Sequence, residues 1–204
     1  MRGARKGGIV ANRRTLGKYR LIDLALWLAI ELVFESIVVK AASVWFPGQA
    51  YYVSVVPAVT AIVYMRWGVW GALHALAGGA ITCLNIGASG QWYLIYVVGN
   101  ALSLLMVGYL KLLGWQSIAL DALKSLLYGL VLMLLLQGGK ALMCLLCGYP
   151  AADTIGLFTP EIITLLFTEI IIWIVRRLDG VVEEQTHYLE RLRQQQERER
   201  GDGQ

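Results

Sequence analysis

Ser89 sits in the glycine-flanked turn GASG at 87 to 90, a setting from which a serine could attack a carbonyl inside a membrane. Such a nucleophile needs a histidine base on a later segment. The only later histidine, His187, stands in a charged tail, and His74 precedes the serine, so GASG is read as a turn. Cys144 and Cys147 have CxxC spacing, but no second pair and no nearby histidine accompanies them, which leaves a zinc site short of ligands and makes packing the expected role. Neither GxGxxG nor GxxxxGK[ST] occurs, so any ATP that powers this protein must bind another chain. The reading is of a non-catalytic protein with no cofactor and no metal. The chemistry that remains belongs to charged and polar residues set inside apolar runs.

The first of these runs, LIDLALWLAIELVFES at 21 to 36, carries Asp23, Glu31 and Glu35. At about 100° per helical residue, Asp23, Trp27, Glu31 and Glu35 share an arc of about 120°, with Ala25 and Ala29 roughly opposite. A carboxylate facing lipid costs about 2.5 to 3.5 kcal/mol on insertion scales, so the acidic face should turn inward and leave the alanines at the periphery. Small residues four apart let a second helix backbone approach closely, a main source of association in lipid.

The elements that carry these residues follow from composition. The chain is 57% hydrophobic and 16% charged, where a water-soluble domain is nearer about a quarter charged, and its mean hydropathy is +0.59. The apolar residues fall into six blocks: Leu21 to Val44, Tyr51 to Met65, Trp67 to Ile86, Trp92 to Leu112, Ser125 to Cys147, and Leu157 to Val175. Each reads as a membrane-crossing helix. The second is short and holds Pro57, where a kink is expected. Residues 1–20 form a basic segment, 21–177 the transmembrane domain and 178–204 a charged tail. The tail reads as a short solvated helix able to touch partner subunits.

Arg2, Arg5, Lys6, Arg13, Arg14, Lys18 and Arg20 precede the first block, and Arg66, Lys111, Lys124, Arg176 and Arg177 mark every second break. The breaks at 46–50, 85–91 and 148–153 hold no Lys or Arg, so both termini are expected in the cytoplasm. A cleaved signal peptide fits poorly, because the first run is long and holds Glu31 and Glu35. Topology and anionic lipid account for the net charge of +4, and no nucleic-acid partner is inferred from it. Three cysteines within or at the ends of apolar runs imply no disulfide framework.

Ala25-Leu-Trp-Leu-Ala29 in the first of six helices, behind a basic segment, resembles the AxxxA motif of the substrate-binding S-components of energy-coupling factor (ECF) transporters. Chain length, helix count, orientation and the glycine-rich WGVWGALHALAGGA are also similar, over about residues 18 to 177. The long charged tail is not part of that pattern. The resemblance implies an all-α bundle in a bacterial cell membrane that captures a vitamin or related micronutrient from outside. Ala25 and Ala29 would dock it on a T-component carried by a pair of ABC ATPases. The competing reading is a structural membrane protein such as an MreD-like scaffold, which needs no pocket.

A substrate pocket of that family lies near the outer surface among the later helices. By position this implicates Trp92, Tyr93, Tyr96 and Asn100 on the fourth helix, Lys140 on the fifth and Glu161 at the start of the sixth, with Trp45 and Asn85 as lid residues. Lys140 and Glu161 would each be costly alone in an apolar layer and are expected to pair or to meet a ligand. Two alternatives stay open. Trp92 and Tyr93 also suit an interfacial belt, and Asn100 suits a bond between helices. In the third helix Gly71, Ala75 and Gly79 form a small-residue stripe read as internal packing.

Overall fold

The computed structural model describes residues 4–45, 47, 53–156, 158, 161–178, 184–185, 188–189 and 191, with the side chains of 4–15, 153 and 156 excepted. Among them there is no strand. The helices are α1 (Ala4–Trp45), α2 (Val56–Trp67), α3 (Gly71–Ile86), α4 (Gly90–Leu113), α5 (Trp115–Leu120), α6 (Ala122–Leu146), α7 (Ala151–Gly156) and α8 (Glu161–Val175). Three helical runs, Val56–Ile86, Gly90–Leu113 and Ala122–Leu146, are long and apolar enough to cross a membrane. Exposed Leu26, Phe34, Leu105, Leu134, Leu166 and Ile170 give the bundle an apolar outer surface, as lipid requires.

The run Val56–Ile86 is a hairpin. Gly68, at φ 56° and ψ −120°, lies outside the region open to side-chain-bearing residues and breaks the helix there. Beyond it Gly71 packs under the Tyr64 ring and Gly78 against Val56, an antiparallel order that folds α3 back along α2. At about 1.5 Å per residue these arms cover only about 18 and 24 Å. Pro57 does not kink a helix as the sequence suggested. It falls in the first turn of α2, where its missing N–H leaves no bond unmade.

Cross-helix pairs give the remaining directions. Asp23 meets Arg66 while Glu35 meets Ser54, so α1 and α2 are antiparallel. Asn100 reaches Ala75 while Cys83 reaches the Trp92 carbonyl, which sets α4 against α3. Lys140 faces Glu161 while Gly129 faces Glu169, which sets α8 against α6. Thus α1, α2, α3, α4, α6 and α8 run alternately between two ends. One end gathers Arg20, Arg66, Lys111 and Arg176; among the described residues only Lys40 and Lys140 carry positive charge toward the other. The segment expected as a polar lead is helical from Ala4, continuous with the first span. Tyr51, Leu157, Thr159, Pro160 and most of the 178–204 tail lie outside the described residues.

At the centre is α2, every residue of which is buried, so its Val, Ala and Ile side chains pack on all sides. A core of Tyr64, Met65, Ala75, Met106, Tyr128 and Leu132 joins α2, α3, α4 and α6. The Tyr128 hydroxyl donates to the Ala61 carbonyl at 2.6 Å, and Tyr64 and Ser103 share a bond of 3.0 Å, so both buried phenols are satisfied. The stripe Gly71, Ala75 and Gly79 is buried inside the protein.

Glycines set how closely α4 lies between its neighbours. A Cβ on Gly79 would stand 2.6 Å from the Tyr96 carbonyl oxygen, one on Gly99 would stand 2.8 Å from the Lys140 Cα, and one on Gly139 would overlap the Gly99 carbonyl. Gly139→Val should therefore force α4 and α6 apart and destabilise the bundle by about 1 to 3 kcal/mol or more. Gly138→Val, whose added carbon would meet only the Leu102 Cδ2 at 3.9 Å, should be close to neutral. Thermal unfolding of both variants in detergent checks this, and equal losses would refute the backbone contact.

Candidate functional site

Each acid of α1 finds its own partner. Asp23, 9% exposed, accepts from Arg66 Nε at 2.9 Å, from the Arg66 Nη2 at 2.7 Å and from Trp67 Nε1 at 2.6 Å, a forked bond of the kind guanidinium geometry favours. Trp27 lies on the same face, with the Arg66 guanidinium 5.9 Å from its ring. Glu31 is 0% exposed and its Oε2 is 2.8 Å from His74 Nδ1 on α3, while its Oε1 has no partner. Glu35, equally buried, accepts from the Val55 N–H at 2.8 Å, the Thr82 hydroxyl at 3.0 Å and the Ser54 hydroxyl at 3.0 Å. The acidic face is therefore consumed in joining α1 to α2 and α3, and Ala25 and Ala29 are exposed on the other side.

The acids lead into a cavity at the end of the bundle away from the basic residues. It lies among Ser54, Val56, Pro57, Gly79, Thr82, Tyr96, Asn100, Leu136, Lys140 and Glu161. Its free volume, about 10 Å³, admits about one water. Lys140 Nζ stands 3.6 Å from Glu161 Oε1 and 4.7 Å from the centre of the Tyr96 ring. Asn100 is 2% exposed; its amide donates to the Ala75 carbonyl at 2.7 Å and its Oδ1 is unpaired. The interhelical bond and the cavity position thus coexist in one side chain. The helix that supplies Tyr96 winds irregularly, with a wide π-type turn over Leu94–Val98 and a tightened stretch over Ala101–Leu105. Such turns recur where a side chain is re-aimed at functional sites.

Four residues expected at the site lie elsewhere. Trp92 packs its ring 6.1 Å from Tyr96 and 5.4 Å from Tyr149, a layer above the cavity and outside its lining. Tyr93 is half-buried on the same turn. Asn85 donates to the Ile81 carbonyl at 3.0 Å on its own helix, and Trp45, 74% exposed, ends α1. Tyr96, Asn100, Lys140 and Glu161 are brought together. Ser54, Thr82 and Glu35 join them, and sequence reasoning had given none of these a place there. Of the three, Glu35 alone carried a signal, as an acid inside an apolar helix.

Ser89 is exposed at the start of α4, and His74 is held by Glu31, so the two do not form a catalytic pair. Cys83, Cys144 and Cys147 form no disulfide, and no cluster of metal-binding side chains occurs among the described residues. No protein-family model, curated protein or solved structure matches the chain.

Removing one member of a buried pair leaves the other uncompensated. His74→Leu should cost about 3 to 5 kcal/mol, and most of that should return in the double variant Glu31→Met with His74→Leu. Unfolding free energies of the four proteins in one detergent test this. Losses that simply add would show that the pair does not act as a unit.

Proposed function

We propose that the protein is the membrane-embedded substrate-binding component of an ECF-type importer. It would bind a small micronutrient on the outer side of a bacterial cell membrane and dock on a T-component joined to two ABC ATPases, without catalysis of its own. The observation that carries this reading is the exposure of Ala25 and Ala29 on the flank of α1 opposite its buried acids. An outward small-residue flank on an otherwise leucine-rich surface suits close packing by a helix of another chain. The cavity bounded by Tyr96, Asn100, Lys140 and Glu161 supports the second half of the reading, because aromatic and apolar walls with convergent polar groups suit a small molecule.

In this reading α1, α2, α3, α4, α6 and α8 make six crossings, with both termini inside. The alternation of helix direction and the gathering of Arg20, Arg66, Lys111 and Arg176 at one end support that orientation. The cavity then opens toward the outside. An MreD-like scaffold is the second reading, and the narrowness of the cavity favours it, since a scaffold requires no space for cargo.

Docking and scaffolding separate experimentally. Ala25→Trp and Ala29→Trp project a bulky side chain from an exposed surface, so folding and thermal stability should be retained within about 0.5 kcal/mol. Co-purification with a co-expressed T-component should be lost. A T-component that still co-purifies with both variants would refute the docking role. Native mass spectrometry of the purified wild-type protein should detect a retained small molecule.

A further inference from the structure

Two buried acceptors of the cavity lining have no partner, and they bear on the class of ligand it suits. The hydroxyl hydrogens of Ser54 and Thr82 are both spent on Glu35, so what these residues turn to any other partner is oxygen lone pairs. Asn100 has spent one amide hydrogen on the Ala75 carbonyl, and its Oδ1 is buried and unpaired. Glu161 Oε2 is likewise buried and unpaired. The donors carried by the same lining are the Tyr96 hydroxyl, the remaining amide hydrogen of Asn100 and, alone in being charged, the Lys140 ammonium. It lies 3.6 Å from Glu161 Oε1, longer than a hydrogen bond, and rests over the Tyr96 face at 4.7 Å.

Charge points the same way. The cavity and its immediate wall hold two carboxyl groups, Glu35 and Glu161, and one ammonium. Glu35 is already met by Val55, Ser54 and Thr82, so the oxygens left for a ligand are Glu161 Oε2 and Asn100 Oδ1, which a cation that also supplies N–H groups suits best. An anionic ligand would meet unpaired carboxyl and amide oxygens and would be repelled.

Resting on the binding reading above, we propose that the site takes a small, planar, cationic nitrogen compound of the amidine or aminoheterocycle type. Its N–H groups bond Glu161 Oε2 and Asn100 Oδ1, and its π-face or charge takes the place over Tyr96. Lys140 is then a tethered stand-in. Its ammonium occupies the cation position and swings away when the ligand enters, which widens the cavity.

The test uses two planar molecules of matched size and opposite charge, benzamidinium and benzoate, titrated into the purified full-length protein in detergent and followed by calorimetry. Benzamidinium should bind at least about tenfold more tightly than benzoate. Glu161→Gln should weaken benzamidinium binding by about tenfold or more, whereas Lys140→Met, which removes the internal competitor, should strengthen it. Benzoate binding as well as benzamidinium, no detectable binding of either, or weaker benzamidinium binding in Lys140→Met would each overturn the proposal. The comparison on the wild-type protein stands even if a variant fails to fold. Because the readout is binding by the isolated protein, its failure leaves docking through Ala25 and Ala29 intact, and a failed docking experiment leaves the binding result intact.

Discussion

The organisation of this protein depends on the need to keep three carboxyl groups of one long helix away from its apolar outer surface. A helix that is apolar all round could rotate freely about its axis at little cost. Asp23, Glu31 and Glu35 remove that freedom, because only one rotation brings all three to Arg66, His74 and the Ser54 and Thr82 hydroxyls together. The anchors are spread from one end of the helix pair to the other, so tilt is fixed along with rotation. The orientation of the alanine flank is a by-product of the same constraint. It faces outward because the acids cannot.

A second constraint is distance. The polar partners around the cavity come from α1, α2, α3, α4, α6 and α8, and they can converge only if the backbones of α3, α4 and α6 nearly touch. Gly79, Gly99 and Gly139 permit this, and the wide turn of α4 falls at the same level. Close backbone approach and polar convergence are therefore two aspects of one crossing. The Lys140 Cα stands beside Gly99 while its ammonium reaches Glu161 and Tyr96, so the residue takes part in both.

Much of the helical layout was legible because the sequence states it in simple terms. Spacing of four shows which residues of α1 share a face, and breaks rich in Lys and Arg alternate with breaks that hold none. The pairing of Lys140 with Glu161 was legible because each is too costly alone. Other features required the third dimension. Pro57 reads as a kink until the start of α2 is known to be Val56, and the hairpin turns at Gly68, beside rather than at Arg66. Ser54 and Thr82 are ordinary polar residues with no periodic signal, and their place beside Glu35 depends on how α2 and α3 fold together. Trp92 and Tyr93 share a helix with Tyr96, but helical spacing alone does not separate a residue lining a cavity from one packed above it.

One bond in this network bears on the order in which the helices are completed. At the start of α2 the Val56 N–H is met by the nearby Ser54 hydroxyl at 3.3 Å, whereas the Val55 N–H just before it is satisfied by Glu35, 20 residues earlier on α1. An orphan amide at a helix start is ordinarily met by a neighbour in sequence, so each helix can be completed as it is synthesised. Here the upstream helix supplies the acceptor. The start of α2 is therefore complete only when α1 lies beside it, and the two helices reach their final form as a pair.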